Sequence, residues 1–258
     1  MGPSLPSNFG DTCVAHEERP ADPPPPPIVQ VSVEDRWGTA TLSAIGGVRR
    51  LSVGAFDAPL RASGYGALPR DYPGGGFALD FSFARWRFEI PLFIGAASAP
   101  SLAGPGSVGA MVADMSFDVG YDLVRWEGLT VFAQGGLGIS SLMLDARDPH
   151  WTFIAQRTGV ATSVSTVEQD TFVFDGQLGI EELVPLGRAG PAEMWGLTLS
   201  LRGGYEQQIA NGGWVTSGTP STSLGGLPLV DLSGGWMALG IGVGVYGGTP
   251  RSLEHTTP

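Results

Sequence analysis

The chain runs in short stretches of alternating apolar and polar residues, and residues 195–208 fit only one periodicity. Leu197, Leu199 and Leu201 fall on one side of an extended strand, and Thr198, Ser200, Arg202, Gly204 and Glu206 fall on the other. Trp195 and Tyr205 stand at the two ends of the apolar band. That is the placement expected of a strand crossing a bilayer between aromatic interface girdles.

From Asp35 onward the same alternation predicts seven further strands. Segment 36–48 sets Thr39, Thr41 and Ser43 against Ala40, Leu42 and Ala44. Segment 76–86 sets Phe77, Leu79, Phe81 and Phe83 against Ala78, Asp80, Ser82 and Ala84. In 87–97, Phe88, Ile90, Leu92 and Ile94 face outward and Arg87 and Glu89 inward. Pro91 falls on the inner face, and because proline removes one ladder donor a local bulge is expected there. Segment 107–123 sends Met111, Ala113, Met115, Phe117, Val119 and Tyr121 to lipid and Asp114, Ser116, Asp118 and Asp122 to the lumen. In 129–144 both faces are fairly apolar; Phe132, Gln134, Gly136, Gly138 and Ser140 are assigned inward, with Val131, Ala133, Leu137 and Ile139 outside. Segment 171–183 turns Phe172, Phe174, Leu178 and Ile180 out and Asp175, Gln177 and Glu181 in. The last, 236–247, sets Met237, Leu239, Ile241, Val243 and Val245 against Ala238, Gly240, Gly242 and Gly244.

Residues 90–113 carry no charge and are about long enough for a membrane helix. Pro91, Pro100 and Pro105, with Gly95, Gly104, Gly106 and Gly109, would leave backbone groups unpaired in hydrocarbon, so a hairpin is the better reading. The links between segments are 49–75, the Trp86 corner, 98–106, 124–128, 145–170, 184–194 and 209–235, and they alternate between longer and tighter connections. Long loops at one end and tight turns at the other are the habit of an outer-membrane barrel, with the turns in the periplasm. The predicted fold is therefore all-β, an eight-stranded antiparallel up-and-down transmembrane β-barrel over 35–247. A disordered Pro-rich arm, 1–34, precedes it and a short tail, 248–258, follows. With an even strand count, both termini lie on the periplasmic side of the outer membrane.

Composition narrows the function classes. Forty Gly and 15% charged residues in 258 are far from a soluble profile and suit crowded inner strand faces. A net charge of −11, with 14 Lys and Arg and no basic patch, excludes nucleic acid as a partner. Cys13 is the sole cysteine, so no internal disulfide or cysteine metal site forms, and its "GDTC" setting is not that of a lipoprotein anchor. The proline run 23–27 predicts a polyproline II spacer, and no export signal is visible in residues 1–34.

Segments 75–97, 107–144 and 171–247 resemble the small eight-stranded bacterial outer-membrane barrels of the outer-membrane protein A and X type. "DLSGGWMALGIGVGVY" (231–246) is similar to the glycine-rich closing strands of that family. The resemblance implies outer-membrane lipid and the barrel assembly machinery as partners. The chain departs from the family in the tail "GGTPRSLEHTTP" after Tyr246, where many members end on an aromatic.

The inward faces collect Asp80, Glu89, Asp114, Asp118, Asp175, Glu181 and Glu206 against Arg87 and Arg202. Side chains about fill the bore of an eight-stranded barrel, so these nine are expected to form a salt-bridged plug in a polar lumen. Asp114 and Asp118 stand about 13 Å apart along a strand, too far for an acid/base pair. His150 is the only barrel-region histidine and has no Ser and acid partner placed beside it, so a lipid A-modifying enzyme is the weaker reading. Gly242, Gly244 and Gly247 match a dinucleotide-type spacing but no helix can follow, and "DARD" (145–148) lacks regular calcium-ligand spacing. No cofactor, metal or catalytic residue is assigned. The expected role is structural, adhesive or small-solute, with loops 49–75, 145–170 and 209–235 available to an extracellular partner. The alternative is a soluble lipocalin-like barrel with its apolar faces turned inward around an apolar ligand.

Overall fold

Alternation becomes strand in every predicted segment. The computed structural model describes residues 30–62, 64–102, 104–126, 128–146, 153–157, 160–190, 193–216, 223–224 and 227–251. Cys13, the 23–27 proline run, His16, His150 and His255 lie outside these residues. Eight long strands make the barrel: β1 (Gln30–Arg50), β2 (Asp71–Phe83), β3 (Trp86–Pro100), β4 (Ser107–Trp126), β5 (Leu129–Ala146), β8 (Thr166–Gly190), β9 (Glu193–Thr216) and β11 (Gly234–Arg251). The short hairpin β6 (Phe153–Arg157) and β7 (Val160–Val164) sits between β5 and β8, and β10 (Ser223–Leu224) pairs with β9. Each barrel strand pairs antiparallel with its neighbours, and the β8–β9 and β1–β11 ladders leave no open edge.

The ladder fixes the barrel's shape. From Gly38 of β1 it passes through Phe83, Trp86, Tyr121, Ala133, Leu178, Gly203 and Met237 and returns to β1 at Val48, ten residues further along. A stagger of ten on eight strands tilts them by about 40° and sets opposite backbones about 16 Å apart, from a rise of about 3.3 Å and a spacing of about 4.8 Å. Such a bore has room for side chains and little else.

Bulky apolar residues face out on all sides. Leu239 is 66% exposed, and Phe77, Ile90, Met115, Leu178 and Leu201 are exposed with it. On β4 the band from Met111 to Tyr121 covers about 25 Å of height at this tilt, the thickness of a membrane barrel's apolar belt. Trp86 and Tyr121 meet edge to face at 5.5 Å at its turn end, near exposed Phe83, Trp126 and Trp195. A soluble lipocalin-like barrel would need these faces inside, so that alternative is overturned.

The strands outrun their expected limits. β2–β3, β4–β5 and β8–β9 connect within two residues, and of the ranges read as loops 145–170 is largely strand, while strands enter 49–75 and 209–235 mainly at their ends, as far as Arg50 and Thr216 and again from Asp71 and Gly234. The pairs Gln30↔Arg251 and Val31↔Pro250 carry pairing past the expected boundaries at 35 and 247. Beyond the belt the apolar face changes sides. On β8, Thr166, Glu168 and Asp170 face out while Val167 is buried, and on β5, Ser141 and Asp145 face out while Leu142, Leu144 and Ala146 are buried. Pro91 makes no bulge: Glu89↔Asp118 and Leu92↔Met115 keep one register, and the proline simply leaves a gap in the ladder. At the tight β4–β5 turn, Gly128 takes φ 100°, a conformation open to glycine. Gly47 is required by contact, since a Cβ there would strike the Met237 carbonyl on β11.

Above the belt the bore holds a true hydrophobic core. Residues 51–70 fold back over the opening as a 3₁₀ turn (Gly54–Phe56) and a short helix α1 (Asp57–Ala62), lowering Leu51, Val53, Phe56, Leu60, Tyr65 and Leu68 onto Val112, Leu142, Leu144, Val167 and Trp214. Phe56 and Trp214 pack edge to face at 5.3 Å. Segment 227–233 closes the other side: Gln169 donates to the Val230 carbonyl at 2.7 Å and accepts from the Val230 amide at 3.0 Å. The lumen is thus polar only within the belt, a correction to the uniformly polar interior expected from sequence.

Candidate functional site

Below this cap the inward faces of all eight strands meet around three arginines. Nearest the turn end, Arg87 on β3 reaches Glu181 at 2.7 Å, Asp122 at 3.6 Å and Asp80 at 3.7 Å, with its guanidinium 4.0 Å from the centre of the Phe132 ring. Arg125 closes this layer from below at 2.5 Å from Asp122 and donates to the Ala84 carbonyl. In the middle, Arg202 on β9 crosses the bore to Glu89 on β3, and both are sealed from solvent. Nearest the cap, Arg49 on β1 pairs with Glu206 at 2.5 Å and Asp114 at 3.4 Å, and donates to the carbonyls of Gly234 at 2.6 Å and Leu232 at 2.9 Å. Ser140 donates to Asp114 at 2.5 Å.

Glycines make these crossings possible. At Gly179 a Cβ would enter the Phe132 ring, which carries Arg87, and at Gly242 and Gly244 it would meet Thr41 and its neighbours on β1. A long arginine can cross a bore of about 16 Å only where facing positions lack side chains.

All nine sequence-predicted residues are buried and point into the lumen. The structure brings together Asp80, Arg87 and Glu181 in one layer, Glu89 and Arg202 in the second, and Asp114 and Glu206 in the third. Asp118 and Asp175 join none of them. Asp118 accepts from Ser116 and Gln177, both at 3.1 Å, and Asp175 accepts from the Trp236 indole at 2.9 Å. Sequence reasoning missed Arg49, the hub of the upper layer, by placing it in a loop; continuing the register of Thr41, Ser43, Ile45 and Gly47 by one more step turns it inward. Asp122 was read as lumenal but not as Arg87's partner.

Little empty space remains. A cavity of about 50 Å³ lies among Arg49, Glu89, Asp114, Asp175, Arg202 and Glu206, enough for a few waters. Among the described residues, no group of three or more His, Cys, Asp or Glu side chains converges as a metal cluster.

A closed eight-stranded ladder, an outward apolar belt and a charge-paired bore define a small membrane-spanning β-barrel of the outer-membrane type. No protein-family model and no curated protein matches the chain. Among solved structures, Neisserial surface protein A is similar over 82% of this chain and 97% of its own, at 10% identity and a TM-score of 0.38. Outer membrane protein AlkL, solved by solid-state NMR in DMPC bilayers, is similar over 98% of this chain and all of its own, at 14% identity and a TM-score of 0.32. The assignment to a membrane barrel rests on this chain's own ladder and belt.

Proposed function

We propose that the protein is a non-enzymatic barrel of a bacterial outer membrane, closed to solutes, which anchors and presents its loop-end surface to a partner outside the cell. The observation that carries this reading is the double closure of the bore: three arginine-centred layers inside the belt and an apolar cap of residues 51–70 above it. In this reading the termini and two-residue turns lie in the periplasm, and the assembly machinery inserts the strands. Six of the lumenal carboxylates are each held by an arginine, which favours a structural use over acid/base work. The surface on offer among the described residues includes exposed Asp71 and Asp170, with half-buried Asp145 and Glu168. Planar-bilayer recording of the refolded protein tests the reading: a silent membrane is the expected result, and discrete, reproducible channel openings from the intact chain refute it.

A further inference from the structure

Eight carboxylates line the sealed lumen, and six of them lie within 4 Å of an arginine. The two without one are neighbours. Asp118 on β4 and Asp175 on β8 pair with the same residue of the intervening strand, Gly136, one from each side. Gly136 has no side chain to separate them, and a Cβ at that position would strike Asp118 Oδ1. Two carboxyl groups with no arginine within 4 Å therefore flank one bare glycine inside a barrel surrounded by lipid, where a buried charge is most costly.

Oxygen atoms with no partner gather at the same level. Asp118 is 0% exposed and its Oδ1 accepts no hydrogen bond, while its Oδ2 takes both those from Ser116 and Gln177. Gln134, buried and paired across the ladder with Gln177, has neither its Oε1 nor its Nε2 engaged, and Gln177 Oε1 is also unpartnered. Gln134 lies over Gly120 of β4 just as Asp118 lies over Gly136 of β5, so the two side chains lean toward each other's strands. The geometry points to a divalent cation of calcium size held between Asp118 and Asp175, with the amide oxygens of Gln134 and Gln177 completing the set. Hard oxygen donors, a doubly negative pair and an irregular arrangement suit Ca²⁺, which tolerates flexible coordination, better than Mg²⁺ with its strict octahedron. Two carboxylates alone are few for such an ion, so the amides are required ligands. Because cap and layers close the bore at both ends, the ion enters as the barrel folds.

The test is to refold the full chain in detergent with calcium chloride, magnesium chloride, sodium chloride alone or EDTA. Each sample is then exchanged into chelator-free buffer for elemental analysis and thermal unfolding. Expected is one calcium retained per barrel and an unfolding temperature several degrees above that of the EDTA sample, with magnesium and sodium giving no shift. Both effects should vanish in Asp118→Asn with Asp175→Asn and persist in Glu168→Gln with Asp170→Asn, which removes acids from the outer rim. Equal unfolding temperatures in calcium and EDTA overturn the proposal from the wild-type arms alone, even if the double variant fails to fold. A calcium effect that survives the Asp118 and Asp175 changes, or disappears with the rim changes, overturns it as well.

Discussion

Changing Arg202 to Met strips the cation from Glu89, a carboxylate that is 0% exposed and whose Oε2 already lacks a hydrogen-bond partner. Breaking a buried pair from one side costs about 3–5 kcal/mol, because the remaining charge cannot return to water. Here lipid surrounds the barrel and the cap closes it, so the upper part of that range applies. Changing Glu89 to Gln alone strands Arg202 in the same way. Making both changes removes both charges at nearly constant volume, and such replacements are often close to neutral, so the double variant should lie within about 2 kcal/mol of wild type. A double-mutant cycle should then show a coupling of about 6–8 kcal/mol, because two single costs of about 4–5 kcal/mol each fall to about 2 kcal/mol when both charges go. Urea unfolding in lipid vesicles, followed by tryptophan fluorescence and by the heat-sensitive shift in gel mobility, measures all four corners. If Arg202→Met costs less than about 1 kcal/mol, or if the two single costs simply add in the double variant, the lumen is hydrated enough to screen its charges and the sealed-bore argument fails.

The belt, cap and seam each make their own prediction. Leu239→Arg, at mid-belt on the lipid face, should cost about 2–4 kcal/mol in vesicle unfolding, whereas Ser98→Arg, above the belt on β3, should cost at most about 1 kcal/mol; equal costs would misplace the membrane. Phe56→Ala leaves a hole against Trp214 in the cap and should cost about 3–5 kcal/mol in the same assay, with protease cutting first within residues 51–70; unchanged protease resistance would mean the cap is not a packed core. Gly47→Val drives a side chain into the β11 backbone at the β1–β11 seam, and refolding should stop before the compact, heat-sensitive form appears on a gel.

How far the fold was legible follows the position of the bilayer along each strand. Inside the belt one face meets lipid and the other meets charge, so Phe77–Phe83 and Leu197–Leu201 alternate cleanly and fix both strand and orientation. At the membrane surface the outward side turns from lipid to water, and the apolar residues move to the inner face. On β5, Leu137 and Ile139 face out while Leu142 and Leu144 face in, so a single reading of that run finds both faces apolar. On β8 the switch from Glu168 and Asp170 to Phe172 made the first part of the strand look like loop. The site was legible to the same extent. Every charged residue placed within the belt points inward, and Arg49, one step past the end assigned to the first segment at 48, was lost. Partner choice was not in the pattern, because the register across three or four strands decides which arginine meets which acid, and no local spacing encodes it.

The two halves of the interior follow from one constraint acting in two solvents. Within lipid the exterior takes the apolar side chains, so the bore is left to polar ones, and burial there is tolerable only where charges pair and glycines make room. Above the lipid the exterior must be wetted, so the same strands bury Val108, Leu142, Leu144 and Val167 and need a lid, which residues 51–70 supply. β5 and β8 overshoot the belt by about six residues, or about 15 Å at their tilt, which lifts this core clear of the bilayer. Arg49 sits at the join. It anchors Leu232 and Gly234 of the upper closure through its backbone contacts and neutralises Asp114 and Glu206 below. Arg49 therefore couples the water-facing cap to the lipid-embedded charge layers, and a change there should loosen both, whereas a change at Arg87 or Phe56 should act on only one.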